Sequence, residues 1–391
     1  KIELANLDNL YGVLSLFRAL NWTDMMILSD GKIRDLIEHL STRKLGNKNY
    51  PADLMGDAYE ILLKKFADDS KAQAGEFYTP RSVVNLLVRI LDPQPGETVY
   101  DPACGSGGML IEAIQHMNHS SLCCGTIFGQ EKNVVNSAIA KMNLFLHGAS
   151  DFNIMQGDTL RSPKILQNGE IAKFDCVIAN PPFSLEKWGS TEWGSDKYGR
   201  NIWGTPSDSC GDYAWIQHMV KSMAPGNGRM AVVMPQGVLF RGNEEGRIRE
   251  KLVKSDLVEA IVTLGDKLFY GTPLSPCFMI LRRLKPATHS ARVLMIDGTK
   301  ILTAKRAQNI LSPEDVDRLY ELYCKYEDIE DFSKVVTIDD IAAKGYDLSP
   351  NKYVNYHKEE IRPYAEVLAE FKAAYEEVLK REAEFEKLIN A

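Results

Sequence analysis

Hydrophobic positions follow two different periods along the chain, and the change comes near Glu97. Before it, stretches such as IRDLIEHL and LMGDAYEILLKKFADD place apolar residues three or four apart, which predicts helices. After it, short apolar runs such as TVYDPA and FDCVIA alternate with longer helical segments such as GMLIEAIQHM. Strands that alternate with helices predict an α/β fold with a doubly wound, mostly parallel sheet.

The same patterns divide the chain into three segments. Residues 1–70 are predicted to form an N-terminal helical domain, residues 71–355 the α/β domain, and residues 356–391 a helical tail. In the tail, apolar residues follow a 4-3-4-3 spacing that only Glu382 interrupts: Tyr364, Leu368, Phe371, Tyr375, Val378, Phe385 and Ile389. Such a stripe predicts a helix that packs either on its own domain or on a helix of a partner.

Composition narrows the class of protein. Among 391 residues there are seven cysteines without Cys-x-x-Cys spacing, which favours a reduced cytoplasmic protein without a metal site. No secretory signal and no apolar run long enough to span a membrane are evident, and because the chain opens on Lys1 we expect further natural sequence before it. The net charge of −7 suggests that nucleic-acid binding would need a partner.

The stretch VYDPACGSGGML, Val99–Leu110, runs from a predicted strand through glycines into a helix. It fails the dinucleotide pattern G-x-G-x-x-G, because Leu110 stands where the third glycine belongs, and it lacks the lysine of a P-loop. Asp101 at the strand end would repel a phosphate but attract an ammonium group. S-adenosylmethionine carries that group and no phosphate, and Gly105, Gly107 and Gly108 let the backbone approach it closely. The turn therefore predicts this cofactor.

Two further carboxylates follow the next two predicted strands. Glu131 can accept hydrogen bonds from both ribose hydroxyls, and Asp158 can reach the adenine amino group of the cofactor. Ligands of open α/β sheets bind at these carboxyl ends, so the three acidic residues are expected to share one site.

The segment NPPF, Asn180–Phe183, comes directly after another predicted strand. Pro181 and Pro182 fix the backbone and remove two N–H donors, which leaves carbonyl groups as acceptors. The Asn180 side-chain oxygen and the Pro181 carbonyl form an acceptor pair suited to an –NH2 group, and Phe183 offers a face for stacking a planar base or amide. These residues predict methyl transfer to an amino nitrogen.

With GEFYTPR before DPACGSGGML and NPPF after it, the chain resembles the DNA adenine-N6 methyltransferases. The later stretch GRMAVVMPQGVLFRGNEEGRIREKL and its continuation to FMILRR resemble the modification subunit of Type I restriction–modification systems, over about residues 50–355. This resemblance implies that residues 71–355 form an S-adenosylmethionine-dependent methyltransferase domain of Rossmann-like type. It implies direct methyl transfer to an adenine that has left the DNA duplex.

The resemblance also assigns residues and partners. Expected at the methionine end of the cofactor are Glu76, Phe77, Tyr78, Thr79, Pro80 and Arg81. Ser106, Gly107 and Gly108 should also touch the cofactor, and Asn180, Pro181, Pro182 and Phe183 should hold the target base. The implied partners are double-stranded DNA, a specificity subunit that two modification subunits share, and a restriction subunit.

Residues 184–211 form a long glycine-rich segment in which Trp188, Trp193 and Trp203 alternate with Lys187, Lys197 and Arg200. Aromatic and basic residues in this arrangement suit contact with DNA near an extruded base, so the segment is expected either to contact DNA or to be a surface loop without that role. Two alternatives to DNA methylation stay open. One is methyl transfer to the glutamine amide of a protein, and the other is a catalytically silent scaffold within a restriction complex.

Overall fold

The computed structural model describes residues 29–42, 79–118, 125–149, 151–269, 275–305, 308–357 and 364–389. The chain divides into two compact units, Lys1–Asn355 and Tyr356–Ala391. Of the predicted N-terminal helices, only α1 (Asp30–Ser41) lies within the described residues. The predicted domain boundaries remain a prediction.

The first unit is built on one nine-stranded sheet. The strands of this sheet are β1 (Val99–Asp101), β2 (Ile127–Glu131), β3 (Phe152–Gln156), β6 (Cys176–Ala179), β7 (Arg229–Pro235), β8 (Val258–Leu264), β9 (Pro276–Arg282), β10 (Arg292–Gly298) and β11 (Ser333–Thr337). Their spatial order is β11-β10-β8-β9-β7-β6-β1-β2-β3, and β4 (Leu166–Gln167) pairs with β5 (Glu170–Ile171) in a separate hairpin. Only β9 and β11 run antiparallel to their neighbours in the sheet. The predicted doubly wound, mostly parallel sheet is confirmed.

Helices cover both faces of the sheet. After α1 they are α2 (Arg81–Leu91), α3 (Gly108–Asn118), α4 (Val134–Leu146), α5 (Ser190–Trp193), α6 (Asp212–Ser222), α7 (Asn243–Lys254), α8 (Pro313–Lys325) and α9 (Ile338–Ala343). Local chemistry fixes several of their starts: Pro80 precedes α2, and the Asn133 side chain accepts the backbone N–H groups of Val135 and Asn136 at the start of α4. Among the described helices, none is long and apolar enough to cross a membrane.

Two hydrophobic cores lie on opposite faces of the sheet, because successive side chains of a strand point to opposite sides. One core joins the sheet to α2, α3, α4 and α8 through residues such as Leu86, Leu110 and Leu319. The other joins it to α6, α7 and α9 through residues such as Ile216, Leu252 and Ile341. The buried sheet holds the strand ends rigidly in place.

The order of the strands reverses between β1 and β6. From β1 the chain proceeds outward through β2 and β3, and from β6 it proceeds the other way through β7. Parallel pairing of β1 with both β2 and β6 places the carboxyl ends of all three strands at one edge. A crevice opens at such a switch point, and it is where open α/β sheets bind ligands.

The second unit contains helix α10 (Tyr364–Ile389). Several apolar side chains of the predicted stripe are exposed: Tyr364, Phe371, Tyr375, Val378 and Phe385. The stripe is therefore an apolar surface on a highly charged helix.

Candidate active site

The glycine turn lies at the switch point, between the end of β1 and the start of α3. Gly105 and Gly107 have φ values of +53° and +85°, a region that side chains with a Cβ rarely adopt. The backbone N–H of Gly107 donates to the Cys104 carbonyl at 2.8 Å. Within the described parts of the chain, nothing lies within 4 Å of the Cβ positions of Gly105 and Gly108. The turn therefore exposes backbone to an open space, as a bound cofactor requires.

Asp101 ends β1 beneath this turn and is 2% exposed. One of its oxygens accepts the Ala103 backbone N–H at 2.9 Å. Burial, and to a lesser extent the negative charge of Glu131, raises the pKa of Asp101 to about 8. A buried carboxyl group beside a second carboxylate favours a cation as its ligand, which fits the ammonium group of S-adenosylmethionine.

Glu131 ends β2, and its carboxylate lies against the glycine turn. One oxygen accepts the Gly105 backbone N–H at 3.0 Å and the other accepts the Asn133 N–H at 2.7 Å. A carboxylate has about four acceptor positions, so Glu131 can hold the turn and also accept hydroxyl groups of a ligand. The structure brings Asp101 and Glu131 close enough for their charges to interact, and their roles toward a cofactor stay a prediction.

Asp158 lies two residues beyond the end of β3 rather than at its last position. It forms an ion pair with Lys132 at 3.0 Å, and its Oδ1 atom accepts the Arg161 backbone N–H at 3.2 Å. Its side chain is 22% exposed. A role of Asp158 toward a cofactor adenine stays a prediction.

The Glu131→Ala variant is expected to bind S-adenosylmethionine about 1–3 kcal/mol more weakly, the scale of lost charged hydrogen bonds. Calorimetric titration measures this change. Glu170→Ala in the exposed β4–β5 hairpin is the matched control and should leave the dissociation constant unchanged. An unchanged dissociation constant in Glu131→Ala itself would remove Glu131 from the cofactor site.

The NPPF segment leaves the end of β6 on the other side of the switch point. The Asn180 Nδ2 group donates to Thr79 Oγ1 at 2.9 Å. The Oδ1 atom of the same side chain is buried, and no group in the described residues donates to it. Buried acceptors without a donor are costly and uncommon in proteins. Asn180 is therefore fixed with its oxygen available to a ligand, as expected of an acceptor for an amino group.

Phe183 is half-buried and packs against Phe269, with 6.3 Å between the ring centroids. Phe269 is only 4% exposed, so it supports Phe183 from the core. Pro181 is buried and Pro182 is half-buried. Phe269 thus supports the Phe183 ring on the side that faces the core.

The residues expected at the methionine end of the cofactor lie partly outside the described residues. Glu76, Phe77 and Tyr78 lie there, while Thr79 and Pro80 directly precede α2 and Arg81 is its first residue. Thr79 contacts Asn180, so this segment reaches the amino-acceptor side of the site. The sequence did not reveal that contact, because 101 residues separate its two partners.

The three tryptophans of residues 184–211 are buried, so they are not the DNA-contacting surface that the sequence suggested. Trp188 and Trp193 are 2% exposed and Trp203 is 8% exposed, since they pack into the domain. Arg200 is equally buried: it pairs with Asp196 at 2.8 Å and donates to the carbonyls of Thr159 and Leu160. The segment packs against the turn after β3 through Arg200, while its cations Lys187 and Lys197 are exposed.

Three comparisons place the chain among known proteins. Residues 51–361 match the family model described as N-6 DNA Methylase. The chain is 35% identical to a Type I restriction enzyme methylase subunit of Methanocaldococcus jannaschii, over 90% of this chain and 60% of that relative. It is 31% identical to the HindI methylase subunit of Haemophilus influenzae, over 85% of this chain and 76% of that relative. The chain spans 60–67% of the length of the first three curated relatives it matches.

Solved structures agree. The crystal structure of the type I restriction–modification methyltransferase subunit from Streptococcus thermophilus superposes with a TM-score of 0.79 at 28% identity, covering 87% of this chain and 72% of that one. A class I S-adenosylmethionine-dependent methyltransferase from Listeria monocytogenes, at 16% identity and a TM-score of 0.58, shares the fold.

Proposed function

The chain belongs to the N-6 DNA methylase family, among the methylase subunits of Type I restriction enzymes, and from this premise we propose its reaction. It transfers the methyl group of S-adenosylmethionine to N6 of adenine in DNA, at a sequence that a specificity subunit selects. The observation that carries this proposal is the buried Oδ1 atom of Asn180 at the switch point, to which no group in the described residues donates. An amino group is a hydrogen-bond donor that suits such an acceptor.

The residues around the glycine turn would hold the cofactor. Asp101 suits the ammonium group, Glu131 the ribose hydroxyls and Asp158 the adenine amino group, while Ser106, Gly107 and Gly108 allow close backbone approach. When bound, S-adenosylmethionine supplies an electrophilic methyl group on a sulfonium. The carboxylate acceptors around this turn support that cofactor over a phosphate-bearing one.

Across the switch point, the chain's own groups prepare the target base. Asn180 Oδ1 and the Pro181 carbonyl accept the two N6 hydrogens, which directs the nitrogen lone pair toward the methyl donor. Phe183 stacks on the base, which must leave the duplex to reach this position. The described site acts by positioning and by hydrogen bonds at the reacting nitrogen.

Partners are proposed from charge and from helix α10. The net charge of −7 gives the chain little of the affinity that phosphate contacts supply. The exposed apolar stripe of α10 suits a partner helix, and we assign that role to the specificity subunit, shared by two modification subunits and joined by a restriction subunit. The cytoplasm is the proposed compartment.

Deleting residues 360–391 is expected to weaken assembly with the specificity subunit while cofactor affinity stays unchanged, because the stripe lies outside the methyltransferase sheet. Gel-shift titrations of the full-length and truncated chains, each with and without the partner, measure this. The isolated full-length chain should bind duplex DNA poorly. Tight, sequence-selective DNA binding by the lone chain would contradict the division of labour.

A further inference from the structure

The backbone of the NPPF segment is held at its C-terminal end by a buried carboxylate. Ser184, which directly follows Phe183, has a φ of +50°, and its N–H donates to Asp212 Oδ1 at 2.7 Å. Asp212 is the first residue of α6 and its side chain is completely buried. An ionised buried carboxylate is costly unless a positive charge pairs with it.

Arg241 supplies that positive charge from the turn before α7. Its Nη2 group donates to Asp212 Oδ2, and its Nε group donates to Glu245 Oε2 at 2.7 Å. The guanidinium lies against Gly237, where a Cβ would come within 3.1 Å of it. The backbone carbonyl of Arg241 accepts a hydrogen bond from the Arg249 side chain at 2.7 Å. Arg241 is thus fixed at both its backbone and its side chain.

We propose that Arg241 is a positioning residue for methyl transfer: it fixes Asp212, which fixes Ser184 and so places Phe183 and the Pro181 carbonyl for the target base. The inference rests on the proposed function. The two prolines make the front of the segment rigid, while the Ser184–Asp212 bond fixes its end. Misplacement of reacting groups by about 1 Å can slow a reaction about 100-fold.

The test measures single-turnover methyl transfer by the complex with the specificity subunit, at saturating S-adenosylmethionine. Arg241→Gln is expected to slow transfer about 10- to 100-fold while the cofactor dissociation constant stays unchanged. Arg247→Gln is the matched control, because Arg247 lies on α7 in an exposed ion pair with Glu244. The fluorescence of DNA that carries 2-aminopurine at the target adenine should be the same in the Arg247→Gln complex as in the parent complex. It should differ in the Arg241→Gln complex, because stacking of the base on Phe183 changes.

Arg241→Gln leaves Asp212 without its positive partner and could fail to fold for that reason. Two double variants that remove both charges keep the proposal testable in that case. The pair R241Q/D212N retains an oxygen for the Ser184 N–H, whereas R241Q/D212L removes it. We expect the first pair to transfer methyl groups faster than the second at equal thermal stability. Equal rates in the two pairs, or a parental rate in Arg241→Gln, would overturn the positioning role. A parent complex that methylates no DNA would instead overturn the proposed function itself.

Discussion

The Asn180→Ala variant is expected to transfer methyl groups about 100- to 1000-fold more slowly than the parent protein, the loss seen when one preorganised hydrogen-bonding group is removed from a reacting centre. The reason is specific to its geometry. Thr79 holds the amide of Asn180 so that its buried Oδ1 atom has no donor within the described residues. Alanine removes the acceptor and leaves the glycine turn untouched, so cofactor binding should persist.

Calorimetry with S-adenosylmethionine and a methyl-transfer assay on DNA, run on the same samples, measure both properties. Asn227→Ala is the matched control, because Asn227 is an exposed asparagine that contacts Asp175 at the amino ends of the strands. It should retain full activity. Parental activity in Asn180→Ala would end the assignment of this residue.

The Asp101→Asn variant is expected to bind S-adenosylmethionine about 10- to 100-fold more weakly at pH 8, which corresponds to a lost hydrogen bond between charged groups. Burial raises the pKa of Asp101 to about 8, so the carboxyl group is largely protonated at pH 6 in the free protein. A cationic ligand needs the ionised form. Affinity of the parent protein should therefore increase between pH 6 and 7.5, whereas the affinity of Asp101→Asn should not follow this increase.

The contribution of Asp101 to the stability of the cofactor-free protein should decrease as the pH rises, whereas its contribution to cofactor affinity should increase. Because the pKa of Asp101 is raised in the folded state, the folded protein binds more protons than the unfolded chain between about pH 4 and 8. The contribution of this group to stability is complete below pH 4 and is lost as the pH rises toward 8. Asp101→Asn should therefore melt at a higher temperature than the cofactor-free parent at pH 8.

Thermal melts and calorimetric titrations across this pH range test both statements. Asp151→Asn, at an exposed position before β3, serves as the control and should leave both profiles unchanged. A parental affinity in Asp101→Asn at pH 8 would exclude the carboxylate from the cofactor site.

Sequence reasoning placed three candidate residues at strand ends, and the structure has them there. Asp101 and Glu131 end β1 and β2, Asn180 directly follows β6, and parallel strands bring such ends to one edge. The doubly wound sheet followed from the alternation of strands and helices. The prediction of the sheet succeeded because hydrophobic period is a property of short stretches, while the roles of the three residues stay predictions.

Packing decided the features that the sequence could not predict. Trp188 and Arg200 have the composition of a DNA-binding segment, yet Arg200 lies over the Trp193 ring at 4.4 Å inside the domain. The contact of Asp212 with Ser184 spans 28 residues, and that of Arg241 with Asp212 spans 29. One signal was available for Asp212, an acidic residue that opens the mostly apolar stretch DYAWIQHMV.

The most direct test of the central claim follows labelled methyl groups from S-adenosylmethionine into DNA and identifies the modified base after digestion. The chain is assayed with its specificity subunit, with the subunit omitted, and with protein as the alternative acceptor. We expect N6-methyladenine in DNA, formed at one sequence and dependent on the specificity subunit. Label in protein glutamine, or no transfer by the complete complex, would contradict it.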